Sequence, residues 1–396
     1  MFRVTFCRVA AVAAMLVSLS AVADATHYSD SGPEPQLANT LAAIDQGDFT
    51  GAMRQVDALI TAYPTFRLAH LIRGDLLLAQ TRPLTTFGEG GKGSRDKIAD
   101  LKDEAVARLH AWHDKTPSVA LPRNLVQMES SQRYAVVVDS KKSRLYLYRN
   151  ENGSPRFVAD YYITLGKLGA DKESEGDKRT PIGVYHVTSS LSPKKLGDFY
   201  GSGAFPINYP NDWDRRIGRK GHGIWLHGTP SNTFSRPPRA SDGCVVLSNR
   251  DLDAISADLQ IGLTPVIISE SIDWLSMDDW QAARNSLLGT LDAWRQDWES
   301  RDTDKYAAHY SREFRVDGLN AAKWIEQKRK INAGKSWIKV ATRNVSMFVN
   351  PGKEEYVVVT FEQDYRSNNL TSVSKKRQYW IKEDGHWKII SEGNIG

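Results

Sequence analysis

Cys244 and His227 stand on either side of a proline-containing loop, Thr229 to Ala240, and residues of these two types can together do nucleophilic chemistry. A thiol whose pKa is about 8.5 is barely ionised at neutral pH, so a nucleophilic cysteine needs a neighbouring base or cation. His227 is the candidate base. With a strand's period of two, Trp225 and His227 share one face, whereas His222, Ile224 and Leu226 share the other. His222 is therefore not expected to be a second base. Gly228 leaves room beside His227, and its carbonyl is placed to accept the far imidazole N–H and fix the tautomer. Gly243 permits a tight turn before Cys244, and the backbone N–H groups of Gly243 and Cys244 are the expected oxyanion hole for an attacked carbonyl. Zinc accepts ligands of the types found at His222, His227, Asp242 and Cys244, but their spacing fits no familiar zinc pattern, so no metal and no cofactor is expected.

The elements that must position these groups are short β runs. YAVVVD, SRLYLYRN and FVADYYITLG, from Arg133 onward, are rich in β-branched and aromatic residues and are separated by turns of hairpin length, which predicts an antiparallel opening sheet. IGVYHVTSS, GIWLHG, CVVLS and TPVIIS add further strands. The domain so defined covers residues 131 to 272.

His227-Gly228, then Ser241-Asp242-Gly243-Cys244, then Asn249, together with the upstream Thr180-Pro181-Ile182-Gly183-Val184-Tyr185, resemble the L,D-transpeptidase catalytic domain of the YkuD type. The resemblance implies Cys244 as nucleophile, His227 as base and Gly228 as its carbonyl orienter, with Ser241 and Gly243 shaping the site. It implies peptidoglycan stem peptides as partners. In that family the cysteine attacks the carbonyl between meso-diaminopimelate and D-alanine of a tetrapeptide, holds the tripeptide as a thioester, and passes it to an amine. Release to water instead would make the chain an L,D-carboxypeptidase, as in relatives that join this domain to a nuclear-transport-factor-2-like domain and control cell shape. A catalytically inactive wall-binding protein is the reading from a different class.

Asp242 and Val246 depart from the family pattern, standing where histidine and arginine are frequent. Both exchanges remove positive charge, and Arg236 and Arg239 on the preceding loop are candidates to supply it, as are Arg215, Arg216, Arg219 and Lys220. The candidate substrate-binding residues are thus Ser241, Asp242, Trp225, Arg239 and Arg236.

The flanking sequence divides into three further parts. Residues 1 to 25 carry Arg3 and Arg8, an apolar run from Val9 to Val22 and small residues at Ala21, Ala23 and Ala25, which reads as a cleaved export signal and implies a periplasmic, wall-associated protein. Cys7 would leave with it, so Cys244 would have no internal disulfide partner. Residues 26 to 130 show helical periodicity, and the stretch from Gly47 to Gly74 is spaced like one tetratricopeptide-like helical pair. Such a pair cannot bury its own face and should pack on a third helix near Lys97 to Lys115 or on the next domain; a peptide groove is its other use.

Eight of the 11 tryptophans fall from Trp274 onward, marking another domain over residues 273 to 396. Ser276 with Asp279 caps a helix whose Trp280, Ala283, Leu287, Leu291, Trp294 and Trp298 recur at steps of three and four. Four β runs follow, ending in HWKIISEGN, so the segment resembles the nuclear-transport-factor-2-like α+β fold. Glycan contact through the accessory domains and a homodimer are uses open to it. The whole chain, 396 residues with 41% hydrophobic and 25% charged residues, is expected to be multidomain, and its formal charge of +5 is too mild to argue for nucleic acid.

Overall fold

The computed structural model describes residues 32–91, 93–113 and 120–395. The segment expected to be an export signal, residues 1 to 25 with Cys7, lies outside the described residues. Among the described residues four helices come first, Glu34–Asp45, Phe49–Ala62, Arg67–Ala79 and Arg95–His113. Asp48 caps the second by accepting the Gly51 N–H at 2.8 Å. Leu37, Ala52, Val56, Leu59, Phe66, Leu68 and Ile72 form the helical core. The glycine-rich stretch closes on the third helix because buried Asp75 accepts the backbone N–H groups of Gly88 and Gly90 at 2.5 and 2.7 Å.

The helical region docks on the β-rich domain through a buried ionic cluster. Arg108 pairs with Glu34 at 2.5 Å and with Glu104 at 3.0 Å, and its guanidinium lies 3.9 Å from the centre of the Tyr162 ring. Arg144, paired with Asp160 at 2.5 Å, reaches the same Glu34 at 3.6 Å. The surface a peptide groove would offer is partly filled by the chain itself, since Phe234 packs against Tyr63 and Phe66.

Within residues 121 to 127, which the sequence reading leaves in the helical region, Leu121–Pro122 and Leu125–Gln127 are strands. Leu121–Pro122 pairs with Trp274–Leu275, and Leu125–Gln127 extends the C-terminal sheet beside Ile338–Val349. Strands of two and three residues are too short to show a period, which is why the pattern does not reveal them.

The β-rich domain is built on a five-stranded sheet in the order Ser154–Tyr162, Arg144–Glu151, Tyr134–Asp139, Pro265–Ser269, Gly183–His186. Its first three strands are the expected antiparallel hairpins, while Pro265–Ser269 runs parallel to Tyr134–Asp139. A second sheet, Val245–Val246, Trp225–His227, Ala204–Pro206, holds His227 and begins one residue after Cys244. Val136, Leu147, Tyr185, Leu226, Val245 and Val266 belong to the core that joins them.

In the C-terminal domain the helix Met277–Ser300 starts where Ser276 accepts the Asp279 N–H, and Trp280, Leu287, Leu291, Trp294 and Trp298 are its buried face. Ile338–Val349, Tyr356–Ser367, Leu370–Glu383 and His386–Asn394 form an antiparallel meander. Both faces of the strand Tyr356–Ser367 are covered. Val357, Val359 and Phe361 face the helix, whereas Tyr356 and Val358 pack with Ala135, Val137, Tyr148 and Ile267 of the β-rich domain.

Replacing Arg108 by alanine leaves Glu34 and Glu104 buried without their shared counter-charge. Breaking a buried ion pair from one side costs about 3–5 kcal/mol. Urea unfolding of Arg108→Ala should show a loss of that order, and an unchanged midpoint would refute it.

Candidate functional site

The site starts from a parallel pairing. Val245 lies beside Leu226 and Val246 beside His227, and the Leu247 N–H donates to the His227 carbonyl at 2.9 Å. Carrying the alternation one step back places Cys244 next to Trp225 and on the His227 face. Cys244 is partly exposed, whereas His227 is buried.

His227 Nδ1 lies 2.7 Å from the Gly228 carbonyl. A carbonyl only accepts, so Nδ1 carries the proton and Nε2 is left as a free base. The carbonyl is itself held in place: the Gly228 N–H donates to the Tyr200 carbonyl at 3.1 Å, and Asn249 locks the next residue, accepting the Thr229 N–H at 3.1 Å and donating to the Thr229 carbonyl at 2.8 Å. A methyl at Gly228 would sit 2.1 Å from Asn249 Oδ1, so only glycine fits there. Asn249 also accepts the Ser202 N–H at 3.0 Å, fixing the loop whose Phe199 and Tyr200 rings wall in His227 at 6.0 and 5.2 Å.

The turn before the nucleophile is tied by Ser241. Its hydroxyl donates to the Cys244 carbonyl at 2.6 Å and accepts the Gly243 N–H at 3.1 Å. The expectation that the Gly243 N–H faces the oxyanion is therefore not met, because Ser241 takes it. The Cys244 N–H makes no hydrogen bond among the described residues and remains the available donor. Gly243 has φ +129, a conformation disfavoured for side chains, and its carbonyl accepts the Thr180 hydroxyl at 3.0 Å. Thr180 also accepts the Gly166 N–H at 3.0 Å, so the upstream threonine-proline signature braces the nucleophile turn from below.

Electrostatically the resting pair is neutral. Burial pushes His227 down to about 4, with a smaller downward push from Arg236 and an opposing pull from the Gly228 carbonyl. Burial likewise raises the Cys244 thiol; Asp242 adds to this, while the Trp225 backbone N–H, Arg236 and Lys172 favour the thiolate. The thiol donates to the Gly223 carbonyl at 3.5 Å. Protonated imidazole and thiolate are thus both disfavoured at rest, and the proton must move as attack occurs.

The other candidates separate clearly. Trp225 contributes its backbone N–H to the thiol and its ring to Tyr200, 5.0 Å away. Arg236 is half-buried, its guanidinium 4.5 Å from the Phe199 ring and 3.3 Å from the Phe199 carbonyl, with no ion pair among the described residues. Asp242 is exposed and pairs with Lys167 at 3.1 Å. Arg239 is exposed on the strand Arg239–Ser241, and no contact ties its side chain to Cys244. Arg215 and Arg219 are engaged by Asp212 and Asp171 at 2.5 and 2.8 Å, and Arg216 donates to the Glu313 carbonyl at 3.2 Å. His222 is exposed outside the strand, 3.7 Å from Glu175. Among the described residues no group of three or more His, Cys, Asp or Glu side chains is placed to hold a metal ion. Phe199, Tyr200 and Lys172 are the residues that sequence reasoning missed; the Gly201–Gly203 turn after the aromatics was the available signal of a constrained loop.

The chain thus joins a β-rich domain, with a cysteine on the face of a carbonyl-oriented histidine, to a helix-and-meander domain. Residues 133–268 match the L,D-transpeptidase catalytic domain, YkuD, and residues 286–393 match the Cds6 C-terminal NTF2-like domain. The structure of Bd1075 from Bdellovibrio bacteriovorus is similar, with 28% identity and a TM-score of 0.62 over 70% of this chain and 98% of that one. The helical cell shape determining protein Pgp2 from Campylobacter jejuni shows 27% identity and a TM-score of 0.57 over 68% of this chain and 95% of that one. The comparison with curated proteins gives no match.

NMR titration of His227 in a Cys244→Ala variant should give an inflection near 4, and an inflection near the ordinary value of about 6.5 would refute the buried neutral base. The sign for stability follows. Between those two values the unfolded chain binds the histidine proton and the native state does not, so this group's contribution lowers native stability as pH falls through that window.

Proposed function

We propose that the chain is an exported L,D-transpeptidase, a cysteine acyltransferase that opens the bond between meso-diaminopimelate and the terminal D-alanine of peptidoglycan stem tetrapeptides. The catalytic-domain match and the likeness to Pgp2 support a peptidoglycan role at the coarse level. The observation that carries the chemistry is the His227 imidazole, fixed by the Gly228 carbonyl with Nε2 free on the face it shares with Cys244. In this reading Nε2 takes the Sγ proton as sulfur attacks the carbonyl carbon. The Cys244 N–H stabilises the oxyanion, and the imidazolium returns the proton to the departing amine of D-alanine. The thioester is then attacked by an acceptor amine, which loses its proton to His227, and the thiol is restored.

Arg236 is the anion-recognition residue of this reading. It is a half-buried cation facing the thiol without a carboxylate partner among the described residues, and a carboxylate of the stem peptide would supply one. Arg239 stands further out and contributes at most to the surrounding field.

The second reading keeps the same thioester and replaces the amine by water, giving an L,D-carboxypeptidase. The likeness to a cell shape determining protein over 95% of that protein's length favours it.

Mass analysis of products from disaccharide tetrapeptide, with the mature chain and its Cys244→Ala variant, tests both. Loss of D-alanine with a 3-3 crosslinked dimer supports transpeptidation, and tripeptide monomer alone supports the carboxypeptidase. No Cys244-dependent change would overturn the enzyme and leave the wall-binding role. In an active enzyme, Arg236→Ala should raise KM about tenfold, the order expected for one lost charge-assisted contact, and an unchanged KM would remove Arg236 from substrate binding.

A further inference from the structure

The loop between base and nucleophile does not stand alone. Thr229 to Ala240 leaves the site, crosses to the helical region and returns. At its far point the Phe234 N–H donates to the Thr65 carbonyl at 3.3 Å. The Phe234 ring lies 4.8 Å from Tyr63 and 5.1 Å from Phe66, inside the cluster that forms the helical core. On one side Thr233 accepts a hydrogen bond from Arg67 at 3.1 Å; on the other Ser235 donates to Glu104 at 2.6 Å, in the buried cluster around Arg108.

One residue later the chain is gripped again from the catalytic domain. The Arg236 carbonyl accepts the hydroxyls of Tyr162 and Thr164, both at 2.9 Å, and the Leu165 N–H donates to the Pro238 carbonyl at 2.8 Å. With its carbonyl held on that side, the Arg236 side chain projects over Phe199 into the site. A loop is as mobile as its buried contacts allow, and the apolar anchor of this one belongs to the helical region.

We propose that the helical region is a positioning element for the active site, and that Phe234 is the positioning residue through which it holds Arg236 beside Cys244. The inference rests on the role given to Arg236 and Cys244 under Proposed function. Among the titratable side chains that bear on the thiol, Arg236 and Lys172 favour its ionised form, Asp242 opposes it, and His227 is neutral at rest. Releasing the loop removes the Arg236 charge from this set and leaves the others in place, so the thiol should ionise at higher pH.

The test uses the full chain and four variants, Phe234→Ala, Phe234→Leu, Arg236→Ala and the double alanine variant, with two readouts. The first is the pH profile of Cys244 alkylation by iodoacetamide; the second is KM and kcat on disaccharide tetrapeptide. Phe234→Ala should move the alkylation profile to higher pH in the direction of Arg236→Ala, and should raise KM about fivefold with a smaller change in kcat. Because both substitutions act through one guanidinium, the double variant should be no worse than Arg236→Ala alone. Phe234→Leu, which keeps an apolar anchor, should stay within about twofold of the parent. If Phe234→Ala does not fold, Ser235→Ala takes its place with the same pattern in smaller measure. A folded variant with the parent's profile and KM, or effects that add to those of Arg236→Ala, would overturn the proposal. If the parent itself turns over no tetrapeptide, the functional reading fails, and the alkylation profiles alone decide whether the loop positions Arg236.

Discussion

Two parallel strands, each only a few residues long, set the terms for the rest of this molecule. Laying Val245–Val246 beside Leu226–His227 puts Cys244 and His227 on one face, but parallel neighbours cannot be joined by a tight hairpin. The connection has to depart and come back. That requirement creates the Thr229–Ala240 excursion, and the excursion in turn needs something to lean on. The catalytic sheet offers Tyr162 and Thr164, the helices offer Tyr63 and Phe66, and the ionic cluster at Arg108 joins the two supports.

The same economy of contacts governs the charges. Every group that fixes the chemistry is backbone or bound to backbone: the Gly228 carbonyl on the imidazole, the Trp225 N–H on the sulfur, the Ser241 hydroxyl across the nucleophile turn. Backbone groups cannot titrate, so this geometry holds at any pH at which the fold survives, while the charges of Arg236 and Lys172 favour the thiolate.

Much of the site was legible in the sequence because its parts are local. His227-Gly228 and Ser241 to Cys244 act through neighbours one to three residues away, so their spacing carries their roles. The Gly243 N–H was misjudged for the same reason, since Ser241, two residues back, competes for it. What the sequence did not reveal depends on distant pairing. Phe199 and Tyr200 meet His227 only through the fold, and Phe234 reads as a loop aromatic until Tyr63 and Phe66 are placed around it. The helical face from Trp280 to Trp298 and the four-strand meander followed from periodicity, whereas Leu125–Gln127 was too short to have one.

The strand Tyr356–Ser367 of the C-terminal domain buries one face on that domain's helix and the other on the β-rich domain, so Tyr356 and Val358 on one side and Val137 and Ile267 on the other share a single interior. Such a boundary is unlike a linker-separated junction, where each part keeps a wet surface of its own. Cutting the chain there would lay bare a continuous apolar face on both fragments, the kind of surface that draws soluble proteins into aggregates. The catalytic half is therefore not a portable module with an appendage. It shares its interior with its neighbour, so separating the two exposes core that each buries in the other.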